Sequence, residues 1–315
     1  MRPGHPTGDP DGDAGTGDDT GRGTDRVGIA IFAAACLLSG GNALGVRFSN
    51  RELDPLWGAS LRFGAAALLL LAVVAALRLP LPRGRALAGA VLFGTLNFGV
   101  TFALAYYALV HIHAGLGQTI LSLVPLVALL LSVTQHQEPF RLPVAVGAVC
   151  AVAGVAVVSR APLQSGVPVV ALLAVLGAVL AFAQAAVLVH RLPPMHPVTM
   201  NAVGMTAAAI LLFAGSYAAG DTWTLPDRAE TWWAIAYLIV AGSVVTFVLY
   251  LMVIRRWGPS RAAYLFVVIP VIAIMLSAWL DDEPLTIGLL LGTPLILAGV
   301  YLGALRPTPP RPSNP

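Results

Sequence analysis

Apolar runs of about 20 residues, the length a membrane-crossing helix needs, alternate with short polar connections along most of this chain. Ten such segments fall near 27–47, 55–77, 86–109, 114–134, 143–159, 167–189, 197–217, 231–253, 262–280 and 286–305, the fifth being the shortest. The connections Asn50–Asp54, Arg83–Arg85, Gln135–Arg141 and Asp221–Glu230 carry most of the charge. Residues 1–26 contain no apolar run and are rich in Gly, Asp, Pro and Thr. Such a stretch cannot offset its own ordering entropy and reads as a disordered tail. It lacks the apolar core of a secretory signal, and its acidic string lacks the spacing and closing Glu of a calcium loop. Residues 306–315, with five prolines, cannot form a helix.

The pattern occurs twice. At an offset of 145, Pro125 falls on Pro270, Ser132 on Ser277, Glu138-Pro139 on Glu283-Pro284, Gly147 on Gly292 and Gly154 on Gly299. Val100-Thr101-Phe102 falls on Val245-Thr246-Phe247 at the same offset. Upstream the offset is 142, laying Pro55 on Pro197, Ala65-Ala66-Ala67 on Ala207-Ala208-Ala209 and Asn42 on Gln184. So long a series implies an internal duplication, with one repeat at 27–159 and the second at 167–305.

Composition names the solvent. The chain of 315 residues is 57% hydrophobic and 10% charged, with mean hydropathy +0.82, whereas soluble domains carry about 25% charged residues. Much of this apolar surface must therefore face lipid. All 18 basic residues are Arg, and they are scattered among the connections rather than gathered on one face, which argues against nucleic acid as a partner. With the N-terminus in the cytoplasm, twelve arginines near segment ends lie inside (Arg22, Arg26, Arg78, Arg83, Arg85, Arg141, Arg191, Arg255, Arg256, Arg261, Arg306, Arg311). Four lie outside (Arg47, Arg51, Arg160, Arg228). The positive-inside rule then places both termini in the cytoplasm of a multi-pass cell-membrane protein. A repeat of five helices is odd in number, so the second copy enters the membrane the other way up. The expected fold is an all-α integral membrane protein, ten transmembrane helices in two inverted five-helix repeats. Such repeats are the signature of secondary transporters, with the substrate held near the midplane between the halves.

The duplicated five-helix unit, Asn42 after Gly40-Gly41, and Pro55 followed by Leu61-Arg62-Phe63 resemble the drug/metabolite transporter superfamily. So do Tyr106-Tyr107-Ala108 ahead of a helix with a central Pro125, and the Glu-Pro turn after it. Within that superfamily the chain is most similar to the EamA-like ten-helix branch. The first helix departs from the pattern, with Gly40-Gly41 and Arg47 where relatives often have Trp-Gly and Lys. The resemblance implies transport, commonly export, of small metabolites such as amino acids. It implies no particular substrate.

Polar groups within apolar segments are the candidate substrate-binding residues. Arg62 is the sole charge well inside a segment, an expensive placement unless the charge is paired or hydrated. It can grip a carboxylate or phosphate, or serve the fold by snorkelling or by pairing with Glu52 or Asp54. The resemblance favours the second use, because an Arg here accompanies the fold across varied substrates. Asn42 and Gln184 hold equivalent places and are expected at the pseudo-symmetry axis, as substrate amides or as interhelical hydrogen-bond formers. Gln118 and Ser122 share one helix face. Tyr106 and Tyr250 are candidates to stack on a solute or to anchor at the interface, like Tyr107, Tyr264 and the six tryptophans. Thr246 completes the set. Pro125 and Pro270 free carbonyls within their helices and are candidate gates. Gly41-xxx-Gly45 and Gly288-xxx-Gly292 permit close helix approach, within the chain or between the copies of a homodimer.

The remaining chemistry is mostly negative. His111, His113 and His136 make no metal spacing and read as surface residues, and Cys36 and Cys150 as single packing thiols. All 15 acidic residues fall in the tail or in turns, leaving only Glu138 and Glu283 at helix ends, plus the histidines, as proton carriers, so proton coupling has no intramembrane carboxylate to support it. No phosphate loop is present, so no nucleotide cofactor is expected. No intramembrane Asp, Glu, Lys or His is available for an enzyme. The expected function is alternating-access movement of a small polar metabolite across a lipid bilayer, by facilitated transport or exchange. Transport of phosphorylated or nucleotide-linked sugars, which would want several intramembrane bases, and a non-transporting scaffold are the alternatives.

Overall fold

The computed structural model describes residues 26–137, 140, 142–189, 191–257 and 265–302. Both tails, the Glu138-Pro139 turn and Tyr264 lie outside them. Every regular element among the described residues is helical. Eight helices are long and apolar enough to cross a membrane: α1 (Arg26–Ser49), α2 (Pro55–Ala76), α3 (Arg85–His111), α4 (Ala114–Thr134), α5 (Leu142–Gln164), α6 (Val169–Val189), α7 (Pro197–Ala219) and α8 (Ala229–Tyr250). Two shorter apolar helices follow, α9 (Leu265–Leu280) and α10 (Ile287–Val300). Helical structure in α8 continues to Trp257.

Local chemistry explains many of the boundaries. Pro55 and Pro197 open α2 and α7, where a missing N–H costs no hydrogen bond. Gly220, at φ 76°, closes α7 with a left-handed cap. α5 is 23 residues long, not the short segment expected, because it runs past exposed Arg160 and through Pro162. An Arg one turn from a helix end extends its head to water without interrupting the backbone. α4 breaks at Ser122-Leu123, just ahead of Pro125, which has no N–H to bond a carbonyl of the preceding turn. Its sequence twin Pro270 sits inside an uninterrupted α9.

α3 and α8 each contain a wide π turn, at Thr95–Val100 and Val240–Val245. These turns lie 145 residues apart, the sequence offset of the duplication. Thr101 donates to the Leu96 carbonyl at 2.8 Å, and Thr246 to the Ala241 carbonyl at 2.7 Å. In both cases a hydroxyl serves a carbonyl five residues back. π turns of this kind gather at functional sites.

α2 packs on α7 and α5 on α10, while α1 lies against α8 and α9 and α6 lies against α3 and α4. Glycines set the closest crossings. A Cβ on Gly154 would lie 2.6 Å from Ile296 and 3.0 Å from the Gly292 carbonyl, and one on Gly299 would lie 2.6 Å from the Gly147 carbonyl. Gly94 meets the Gly204 backbone between α3 and α7. Gly41 and Gly45 face Tyr237 and Leu238, and Gly288 faces Val157, so both sequence-predicted glycine pairs are used within the chain. The outer surface shows Leu68, Val149, Val152, Ile210, Met275 and Leu291, an apolar face suited to acyl chains.

Candidate functional site

Arg62 is fully buried on α2, with 2% of its surface exposed. It reaches neither Glu52 nor Asp54 and does not snorkel. Its Nε donates to Ser243 Oγ at 3.1 Å, and its Nη2 donates to Asn42 Oδ1 at 3.1 Å and to the Gly242 carbonyl at 3.3 Å. The guanidinium also lies 4.8 Å from the Phe102 ring centroid and 5.0 Å from that of Phe63, geometry in which aromatic faces stabilise a cation. Asn42 donates to the same Gly242 carbonyl at 3.3 Å. The π turn of α8 explains this arrangement, since it swings Gly242 and Ser243 toward α1 and α2. Gly242 must lack a side chain, because a Cβ there would strike the Asn42 amide. The site thus joins α1 and α2 of the first sequence copy to α8 of the second.

Not every donor is used. Arg62 Nη1, the Tyr106 hydroxyl and Ser49 Oγ make no hydrogen bond of acceptable geometry among the described residues, although the guanidinium and the Tyr106 hydroxyl lie close to each other. Tyr106 and Ser49 are wholly buried. A Cβ on Gly58 would lie 3.0 Å from Ser49 Oγ and 3.6 Å from the Tyr106 ring, so Gly58 leaves room beside them. The Asn50 amide donates to the Tyr106 carbonyl at 2.9 Å and leaves its Oδ1 unpaired. Unpaired buried polar atoms each cost about 1–3 kcal/mol. Such a cluster therefore has the polarity to receive a small anionic or hydrogen-bonding group.

The other sequence-predicted residues lie elsewhere. Gln184 accepts from Gln135 at 2.8 Å, in a network separate from that of Asn42. Ser122 is buried and donates to the Thr119 carbonyl at 2.6 Å. Gln118 shares that stretch of α4, half-buried, and the Thr246 hydroxyl is spent within α8 as described. Tyr250 packs with Phe32, Leu249 and Ile272 around Cys36 and Val253. Sequence reasoning missed Gly242 and Ser243, whose signal was their position just ahead of the duplicated Val-Thr-Phe.

A second polar region lies where α1, α3, α5, α7 and α9 end and the next helices begin. Asp281 accepts from Arg47, from Arg51 Nη2 at 3.0 Å, and faces His113 Nδ1 at 3.7 Å. Arg47 also donates to the carbonyls of Leu109 and Ile112. Asp54 accepts from the Thr222 amide at 2.7 Å, the Trp57 indole donates to the Thr224 carbonyl at 2.8 Å, and Glu52 pairs with Arg228. Each of these ties joins a residue before position 160 to one after position 200, apart from Arg47 and its two carbonyls.

The Thr231 hydroxyl, with help from Arg228, holds the Glu52 carboxyl below its ordinary value. A depressed carboxyl stabilises the fold above its unfolded pKa, roughly 4.3, and loses that contribution as pH falls through the folded value. Glu52→Gln is therefore expected to lower the thermal midpoint slightly at neutral pH, with the difference from the parent vanishing in acid. Melting curves of both proteins at two pH values check this.

A family profile described as the EamA-like transporter family matches residues 26–160 and again 169–304. The inner membrane transporter YedA of Escherichia coli (strain K12), itself uncharacterized, is 28% identical over 286 residues, covering 88% of this chain and 92% of that one. An uncharacterized transporter of Archaeoglobus fulgidus is 28% identical over 268 residues, covering 82% and 91%. A crystal structure of a protein at 19% identity superposes with a TM-score of 0.61, covering 90% of this chain and 98% of that chain. At that identity the likeness is one of fold.

Proposed function

The chain belongs to the EamA-like transporter family, and from that premise we propose that it moves a small polar metabolite bearing a carboxylate, such as an amino acid, by alternating access. The moving parts are two inverted five-helix repeats, residues 27–159 and 167–305, with ten membrane helices and both termini in the cytoplasm. Support comes from the pairing of α2 with α7 and α5 with α10, and from π turns recurring at the sequence offset. The cell membrane holds the protein, and its working partners are the solute and lipid.

The observation that carries the substrate class is a pair of adjacent buried donors, Arg62 Nη1 and the Tyr106 hydroxyl, neither of which makes a well-formed hydrogen bond. A carboxylate bound beside them would accept a charge-assisted hydrogen bond from the first and a neutral one from the second. Asn42, Ser243 and Gly242 keep the guanidinium from rotating, so its ordering cost is met before the solute arrives. Ser49 and Asn50 supply further hydrogen-bonding capacity. Pro125, beside the break in α4, and Pro270 in α9 are the flexing points.

Tyr106→Phe separates this reading from a purely structural one. The substitution removes one unpaired hydroxyl and leaves the ring. Stability is expected to hold or rise, because an unsatisfied buried group disappears. Solute KM, measured in proteoliposomes with the best substrate from a panel of amino acids, sugars and amphipathic cations, is expected to rise by about 10-fold. An unchanged KM with raised stability would remove Tyr106 from the site.

A further inference from the structure

Glu283 is a carboxylate that the transport reading leaves without a task. It follows α9 and is only 5% exposed. Its Oε2 accepts from the Gly115 amide at 2.9 Å and its Oε1 from the Leu116 amide at 3.1 Å. Both oxygens act as acceptors, the pattern of an ionised carboxylate, and two of its roughly four lone-pair sites are thereby used. The amides belong to the first turn of α4, where a helix end supplies partial positive charge and no more. Arg47, Arg51 and His113, at the same end of the bundle, all face Asp281 instead. Glu283 therefore holds a negative charge that its amide donors orient and do not neutralise.

A cleft of about 290 Å³ lies against this residue. Its walls are mostly apolar, with Ile112 and Leu116 from the start of α4 and just before it, Val158 and Ala161 from α5, and Leu289 from α10. His111, His113 and Thr286 add polar groups at the edge, and the Thr286 hydroxyl already accepts from the Leu289 amide at 3.2 Å. Phe, Tyr and Trp are absent among the described lining residues. The volume falls at the lower end of small-molecule cavities, enough for a compact ligand well below drug size. One carboxylate set in an apolar hollow thus asks for a cation with a hydrocarbon body.

We propose that this cleft is a binding site for a small primary amine, separate from the Arg62 cluster. The ammonium donates to the free lone pairs of Glu283, in charge-assisted hydrogen bonds, and its apolar body lies against Leu116, Ala161 and Leu289. A primary ammonium is compact and carries three donors. A quaternary ammonium has no donor and is recognised by aromatic faces, which this lining lacks. A neutral alcohol leaves the carboxylate charge as it was, and an anion is repelled by it. An occupant touches α5 and the start of α4 on one side and the α9–α10 connection on the other. It therefore ties the first sequence copy to the second, and favours the present arrangement by mass action.

The test is calorimetric titration of the full-length protein in detergent with 2-phenylethylamine at about pH 7.5, where an alkyl ammonium is charged and a carboxyl ionised. Its alcohol, 2-phenylethanol, and its N,N,N-trimethyl derivative are the comparators. The parent is expected to bind the amine saturably and neither comparator. Glu283→Gln is expected to weaken the amine at least about tenfold, the effect of losing a charged hydrogen-bond partner. Ala161→Phe, which fills the cleft and leaves the carboxylate in place, is expected to weaken it as much. Arg62→Leu is expected to bind the amine as the parent does. A parent that does not bind the amine, or binds the alcohol equally tightly, would overturn the proposal, as would parental affinity in Glu283→Gln. Affinity lost in Arg62→Leu and kept in Ala161→Phe would put the amine at the Arg62 cluster and overturn it too. The transport reading stands or falls separately, since it is judged by flux.

Discussion

Arg62→Leu is expected to abolish measurable transport while leaving a folded protein. The substitution removes the cation but strands few partners. Ser243 still donates to the Leu238 carbonyl at 2.8 Å, and the Gly242 carbonyl still accepts from Asn42. The lost hydrogen bonds are worth about 1.5–3 kcal/mol each when charged, and removing the buried charge recovers part of that as avoided desolvation. A melting point within a few degrees of the parent is therefore expected. Transport loses the group that would bind the carboxylate, and the expected fall in kcat/KM is at least about 100-fold. Arg62→Lys is expected to fail nearly as badly, because one ammonium cannot replace a fork that holds Ser243, Asn42 and Gly242 and keeps Nη1 free. If Arg62 only fastened helices, the order would reverse, with stability falling steeply and the residual folded protein transporting normally. Melting curves and flux on the same preparations distinguish the two.

Gly154→Leu carries the largest expected effect on folding. A Cβ at 154 already comes within 2.8 Å of the Ile296 amide and 3.0 Å of the Gly292 carbonyl. These are backbone atoms and cannot rotate away. α5 and α10 would have to separate along their length, losing the contacts that small residues permit between membrane helices. Overpacking of a tight site costs about 1–3 kcal/mol for a methylene or two, and a leucine here adds more, against a total stability of about 5–15 kcal/mol. Loss of monodisperse protein on size exclusion in detergent is the expected result. Gly64→Ala is the contrast, for its nearest neighbour would be Ala209 at 3.9 Å. Alanine is the better helix former by about 1 kcal/mol, so that variant should be as stable as the parent or slightly more so.

The helices were legible because hydrophobic runs of membrane length admit few alternatives, and Pro55, Pro197 and Gly220 mark ends by their backbone chemistry alone. The Arg62 cluster was half legible. Its charge in an apolar segment announced it, and Asn42 was singled out. Its true partners were hidden, since a glycine carbonyl and a serine reach Arg62 only through a π turn, which no periodicity reveals. Thr246 shows the limit from the other side. The duplication made it conspicuous, but its hydroxyl serves the Ala241 carbonyl within the turn. Gln184, equivalent to Asn42 in sequence, bonds Gln135 instead, because its position opposite a second arginine is not filled. Arg62 corresponds at the 142-residue offset to Gly204, where α3 and α7 touch backbone to backbone. Glu283 was visible as the twin of Glu138 in the duplication and as an acid near a helix end. Its carboxylate accepts from the Gly115 and Leu116 amides at the start of α4, a long-range contact that local sequence does not encode.

The most direct measurement is solute flux in proteoliposomes across a panel of amino acids, dicarboxylates, sugars and amphipathic cations, with the parent and Arg62→Leu run side by side. The account predicts saturable flux of a carboxylate-bearing solute by the parent, and none above background by the variant of equal melting point. Saturable flux confined to sugars or cations, equal in the two proteins, would contradict it.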